Sequence, residues 1–307
     1  MSNTVSKGSF AHPSWQHAHG AIELDRPKVA AIVNLTPDSF YDGGRWCDGQ
    51  DSASRFDALV GRWMGCGAAL IDVGAESTRP GSKPIGASEE MRRLEICFPK
   101  RKNKSFGLGT PVSVDTQKAD VARFSLSLGA DIINDVSGLS DPAMADVVAE
   151  FGAGLVIGHM RGTPENMQVK IGFSDLVHEV IEELCQSIQR ARKAGVALRN
   201  IVVDPGIGFG KTTEQCIELI DASQDIAVAT GCPVMIGASR KSFLGKLTEK
   251  PVGERLASSL AIAMVAAMSG ASVLRVHDVE ETLDVLRIFD AFVSGSNLKE
   301  CARRKKM

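Results

Sequence analysis

The sequence predicts an α/β fold, a TIM (β/α)8 barrel in a single domain, and three observations point there. Eight short apolar runs recur along the 307 residues: VAAIV (29–33), ALIDV (69–73), PVSV (111–114), ADIIN (130–134), GLVIG (154–158), IVVD (201–204), PVMIG (233–237) and SVLRV (272–276). They are continuous rather than alternating, as strands buried on both faces of a parallel sheet are. Helical patterns lie between them, and eight strand–helix units in roughly 270 residues match this barrel. Finally, polar residues end strands throughout: NLTPDSF (34–40), DVGAESTRPG (72–81) and RVH (275–277) follow strands one, two and eight. A barrel turns all such ends toward one mouth, so they would share a rim. A doubly wound open sheet is the alternative, but no glycine-rich phosphate turn follows the first strand.

In order, residues 1–27 read as a partly flexible N-terminal leader. Its His12, His17 and His19 read as part of a frayed polar terminus, with a metal-binding HxH as the alternative. Residues 28–294 form the catalytic domain. Within it, residues 52–66 put Phe56, Leu59, Val60, Trp63 and Met64 on one helical face. Residues 175–194 do the same with Leu176, Val177, Val180, Ile181, Leu184 and Ile188. Residues 254–269 are mostly Ala, Leu, Ile and Met, which implies burial between neighbours or at a subunit contact. The last helix, about 279–292, carries Leu283, Leu286 and Phe289 at helical spacing. Residues 295–307 form a basic tail.

Bulk properties exclude several classes. The net charge is −2, and the dense basic runs, 100–104 and 303–306, read as solvated segments. No broad basic face for nucleic acid is expected. The chain holds no 18-residue apolar stretch and no signal-peptide core, so no membrane span is expected. Seven cysteines stand singly without a CxxC pair, which fits a reducing, cytoplasmic setting.

The chemistry-bearing residues fall into two sets. Asp72, Asp115, Asn134 and Asp204 sit at or just inside strand ends. Buried carboxylates need donors, and a flat heterocycle with adjacent N–H groups would supply them. Capping of the following helices remains open for each. Arg275 and His277 leave strand eight on alternate positions and so share a face. Lys241 follows strand seven, and Arg79 lies in the loop after strand two. Arg275 with backbone N–H groups near Ser239 to Phe243 would suit a phosphate. Arg240 reads as pairing with an acidic group in the barrel wall, and a structural role stays open for His277. DPGIGFGK (204–211) lacks P-loop spacing. It reads as a tight loop that admits a flat substrate, with Phe209 as an apolar wall.

Together these stretches resemble the dihydropteroate synthase family, folate-pathway enzymes inhibited by sulfonamides. The resemblance rests on NLTPDSFYDGG (34–44), DVGAESTRPG (72–81), SVDT (113–116), INDVSG (133–138), HMRGTPENMQ (159–168), DPGIGFGK (204–211), GASRKSFLG (237–245) and RVHDV (275–279), in family order. It covers about residues 29–292, and Ala75 and Gly158 depart from the usual pattern. It implies a homodimer that joins 6-hydroxymethyl-7,8-dihydropterin diphosphate to 4-aminobenzoate with Mg2+ assisting. Asp115, Asn134, Asp204, Met160, Gly237 and Lys241 would then bind the pterin. Asn34, Arg79, Arg275 and His277 would handle diphosphate, with Asn34 also beside Mg2+. Phe40, Thr78, Pro80, Phe209, Ser239 and Ser242 would border aminobenzoate. Asp115, Lys241, Arg275 and His277 form the implied catalytic set. A corrinoid-linked pterin methyltransferase domain and a silent pterin-binding paralogue are the rivals. The SRK stretch and the RVH pair argue against the first, whose reaction loses no diphosphate, and intact Arg79, Lys241, Arg275 and His277 argue against the second.

Overall fold

Eight parallel strands close around one axis. The computed structural model describes residues 14–36, 52–79, 81–95, 111–169 and 172–293. The barrel strands are β3 (Lys28–Asn34), β4 (Leu70–Gly74), β5 (Val112–Asp115), β6 (Ile132–Asp135), β7 (Gly154–Gly158), β8 (Ile201–Asp204), β9 (Met235–Ile236) and β10 (Val273–Val276). They pair in the order β8-β7-β6-β5-β4-β3-β10-β9. A parallel bridge between Val203 and Val234, with Val203 N donating to the Pro233 carbonyl at 2.9 Å, closes the ring. Residues 233–234 of the seventh apolar run thus contribute the seam rather than the strand.

Alternation along each strand separates two buried clusters. Val29, Ala31, Ile71, Val73, Val114, Ile133, Leu155, Val203 and Leu274 face the helices. Ala30, Leu70, Ile132, Val156, Val202, Met235 and Val273 form a second cluster inside the barrel. Two residues further along the same face, the apolar floor gives way to polar groups. Leu70 is followed by Asp72, Ile132 by Asn134, Val202 by Asp204 and Val273 by Arg275. Period-two geometry therefore stacks the polar layer directly on the apolar one.

The helical layer includes α1 (Ser52–Cys66), α2 (Ala87–Leu94), α3 (Ala119–Ser127), α4 (Met144–Phe151), α5 (Leu176–Lys193), α6 (Thr213–Asp221), α7 (Ser223–Thr230), α8 (Ser242–Thr248), α9 (Leu256–Met268) and α10 (Val279–Val293). α5 starts at Asp175, whose carboxylate accepts from His178 N at 3.2 Å, and ends among Arg190, Arg192 and Lys193. Both features suit the helix dipole. α9 buries Ser259, Ala263, Ala266 and Ala267, while Val265 and Met268 face outward. On the neighbouring α10, Ile288 and Phe292 are also exposed. Among the described residues no helix is long and apolar enough to cross a membrane.

Part of the stretch read as leader is built into the fold. β1 (Ser14–His17) and β2 (Gly20–Glu23) form an antiparallel hairpin. Its Trp15, with Ile22 and Leu24, joins the apolar cluster inside the barrel and stops the end opposite the polar layer. Trp15 is fully buried, and its indole N–H donates to the Asn200 carbonyl at 2.9 Å. His17 and His19, expected in a frayed terminus, lie with Nδ1 at 3.1 and 2.8 Å from the Asp131 carboxylate. His12 lies outside the described residues.

Candidate active site

A cavity of about 440 Å³ opens at the carboxyl ends of the strands. From β3 and β4 come Asn34 and the rim residues Thr78 and Arg79. Asp115 comes from β5, and Gly237, Ser239, Lys241 and Ser242 follow β9. Arg275 and His277 stand on and beyond β10, and Phe209 enters from the loop after β8. Asn134 and Asp204 are buried and do not line this cavity. Met160 lines a separate cavity with His159, Arg161 and Glu183. Phe40 and Pro80 lie outside the described residues.

Arg275 dominates the floor. Its Nε donates to Asp72 Oδ2 at 2.5 Å and its Nη2 to Asp115 Oδ2 at 2.8 Å. Asp72 also accepts from Asn134 Nδ2 at 3.2 Å. Two carboxylates thus share one guanidinium in a site that water scarcely reaches. Burial raises the pKa of Asp115; Arg275 opposes that rise and Asp72 adds to it. The paired carboxylates in turn hold Arg275 more firmly protonated than usual, against the cost of its own burial. Asp204 Oδ1 accepts from Gly206 N at 2.7 Å, which fixes its carboxylate and starts the following loop.

On the opposite wall, Lys241 donates to the Ile207 carbonyl and sits 4.4 Å from the Phe209 ring centroid. Desolvation lowers its pKa, with Asp204 working against the shift. His277 Nδ1 lies 3.2 Å from Ser239 Oγ, and its backbone N–H donates to the same oxygen. Burial, reinforced by Arg275, pushes His277 down to about 3, so it is neutral at pH 7. Arg240 borders the cavity, but its guanidinium pairs with the wall residue Asp278, and its backbone adopts φ +57°.

Several contributors are not marked out by the sequence as site residues. Arg255 lines the cavity and donates from Nη1 to the Arg240 carbonyl at 3.0 Å. It stands ahead of α9, at no spacing that links it to a strand end. Glu76 accepts from Ile85 N at 2.7 Å and from Lys118 Nζ at 2.8 Å. Lys118 also reaches the buried Glu90 at 2.6 Å. These contacts brace the loop that carries Thr78 and Arg79. Glu76 stood inside a matched motif, but its partners are 42 and 9 residues away.

The expected Mg2+ site does not stand. Among the described residues no group of three or more His, Cys, Asp or Glu side chains is arranged to hold a metal ion. Asn34 offers a neutral amide, whereas Mg2+ depends on carboxylate or phosphate oxygens. The nearby carboxylates of Asp72 and Asp115 are occupied by Arg275.

The model of a family described as pterin binding enzyme matches residues 30–277. The dihydropteroate synthase of Escherichia coli strain K12 is 37% identical over 279 residues, covering 91% of this chain and 96% of that relative. The chain belongs to the dihydropteroate synthase family. A probable bifunctional folylpolyglutamate synthase/dihydropteroate synthase of Haloferax volcanii is 40% identical over 264 residues, 86% of this chain. The chain spans only 30% of that longer relative. Among solved structures, Xanthomonas albilineans dihydropteroate synthase with 4-aminobenzoic acid aligns at a TM-score of 0.81 and 37% identity, covering 92% and 98% of the two chains. The Burkholderia cenocepacia dihydropteroate synthase complexed with 7,8-dihydropteroate aligns at 0.80 and 36% identity, covering 96% and 100%.

Proposed function

We propose that this chain condenses 6-hydroxymethyl-7,8-dihydropterin diphosphate with 4-aminobenzoate, releasing diphosphate and forming 7,8-dihydropteroate. The observation that carries the reading is the Asp72–Arg275–Asp115 pairing, set one layer above an apolar floor. A pterin's ring N–H and amino groups are donors of the kind this layer of acceptors would take. Family membership and the ligands held by the Burkholderia and Xanthomonas enzymes point to the same substrates.

In this reading Asp115, Asn134 and Asp204 hold the pterin, whose N–H groups take over the acceptor that Arg275 engages on Asp115. Gly237 keeps the wall beside Asp204 low and Lys241 meets the pterin edge. Met160 would have to turn in from the neighbouring cavity to pack on the ring. Arg275, released from Asp115, turns to the diphosphate with Arg79, Asn34 and neutral His277. The methylene C–O bond breaks first and its electron pair leaves on diphosphate. The positive charge left on the dihydropterin is offset by the buried carboxylates. The neutral aniline nitrogen then attacks the methylene carbon and loses its proton. Thr78, Phe209, Ser239 and Ser242 border that amine, with Phe40 and Pro80 completing the rim. Water must be excluded at this stage, because it would hydrolyse the same cation.

The chain would act as a homodimer through the outward side of α9 and α10, where Val265, Met268, Ile288 and Phe292 are exposed. Its scattered thiols support a cytoplasmic setting. The test is diphosphate release with and without 4-aminobenzoate, with product identified by mass. Aminobenzoate-dependent release with dihydropteroate formed is expected; tight pterin binding without product would overturn the reading.

A further inference from the structure

Outside the cavity lining, three ionisable side chains run in series through the barrel wall. Lys211 is 5% exposed, and its Nζ lies 3.0 Å from His159 Nδ1 and 3.0 Å from the Phe209 carbonyl. His159 Nε2 lies 3.0 Å from Glu183 Oε2. The other Glu183 oxygen accepts from Arg161 Nε at 2.9 Å. Burial pushes Lys211 down to about 7 and lowers His159, while the His159 hydrogen bond chiefly holds Glu183 at about 2. A carboxylate so held only accepts. His159 Nε2–H therefore donates to it, and Nδ1 accepts from the lysine.

The series ends on the loop of residues 206–210, and the packing there leaves little slack. Gly206 has φ +72°, and a Cβ on it would lie 1.9 Å from the His159 carbonyl oxygen. His159 N in turn donates to the Asp204 carbonyl at 2.9 Å. Directly after Lys211, Thr212 and Gln215 form a reciprocal cap that fixes the start of α6. On the cavity side of the loop, Lys241 takes the Ile207 carbonyl and lies over the Phe209 ring. The loop is thus gripped by one lysine from the cavity and by another from the interior.

We propose that Glu183, His159 and Lys211 are positioning residues that hold the 206–210 loop so that Phe209 keeps its orientation toward the arylamine half of the site. The role rests on the proposed function for its catalytic meaning. None of the three lines the cavity at the strand ends, so their effect passes through the loop, at Gly206 and at the Phe209 carbonyl. Small displacements of positioned groups cost large factors in rate, and Lys211 is the member nearest the reacting groups.

The test compares wild type, Lys211→Met, Glu183→Gln and the double variant Lys211→Met/His159→Asn. Each is normalised to sites that bind a pterin analogue. Lys211→Met is expected to raise the KM for 4-aminobenzoate about tenfold or more. The KM for the pterin diphosphate should rise several-fold less, since Asp115 and Asn134 are not on the loop and only Asp204 and Lys241 touch it. Glu183→Gln keeps an acceptor for His159 and should retain most of the wild-type KM. The double variant should be no worse than Lys211→Met, because the members act in series. Hydrogen exchange over residues 204–211, measured without substrate, should quicken in Lys211→Met while strand amides stay protected. Equal changes in both KM values, or unchanged exchange, would overturn the proposal. If wild type makes no dihydropteroate, the proposed function fails, and the exchange measurement still decides whether the lysine holds the loop.

Discussion

Arg240 grips Asp278 with two hydrogen bonds, Nε to Oδ2 at 2.8 Å and Nη2 to Oδ1 at 2.6 Å, and both residues are buried. The pair joins the loop after β9 to the end of β10. It thereby brings Ser239 and Lys241 into register with Arg275 and His277. Asp278→Asn leaves a buried guanidinium without its counter-charge and should cost about 3–5 kcal/mol of stability. Urea unfolding monitored by tryptophan emission measures it. A loss below about 1 kcal/mol would mean that Arg240 is held by the Val252 and Gly253 carbonyls instead.

Asp115→Asn replaces an acceptor oxygen with a donor facing Arg275 Nη2. Binding of an unreactive pterin should weaken by about 10- to 100-fold, the scale of a hydrogen bond to a charged group. Pterin fluorescence titration reads this directly. Wild-type affinity in the variant would remove Asp115 from the pterin contacts.

His277 supplies a pH signature. Its folded value is near 3 against 6.5 for the free side chain, so between those values the unfolded chain binds more protons. Stability from this group is whole above pH 6.5 and falls as pH drops toward 3. His277→Gln should therefore flatten that part of the curve of unfolding free energy against pH. The same slope in both proteins between pH 6.5 and pH 4 would show that other groups set it.

Trp15→Ala removes the stopper of the barrel without touching the mouth. A cost of about 3–5 kcal/mol is expected for a large buried aromatic, with both KM values unchanged at a temperature where the variant stays folded. Thermal unfolding and steady-state kinetics check the two halves of this prediction.

The apolar runs locate the barrel strands because burial on both faces leaves a local signature. α1 coincides with the periodic segment 52–66. Asp115 and Arg275 were visible for a related reason: each is a charge at or beside the end of such a run, and Lys241 stands in the loop that follows one. What was not legible is pairing at a distance. Lys211 looked like the end of a glycine loop, and only the fold brings it to His159, 52 residues earlier. Arg255 has no periodic or motif context. The histidines of the leader resembled a loose polar end because Asp131, which orders them, lies more than a hundred residues away. The Mg2+ expectation came from resemblance, and the side-chain geometry around Asn34 does not carry it.

The Trp15–Asn200 contact also sets a schedule for biosynthesis. Its partners are 185 residues apart in the chain. At about 5–20 residues per second, the ribosome needs roughly 10–40 s between making one and the other. For that interval the hairpin has no barrel end to enter, and its tryptophan stays available to chaperones. The hairpin is thus translated long before the residue that receives its indole and is among the later parts to find its place.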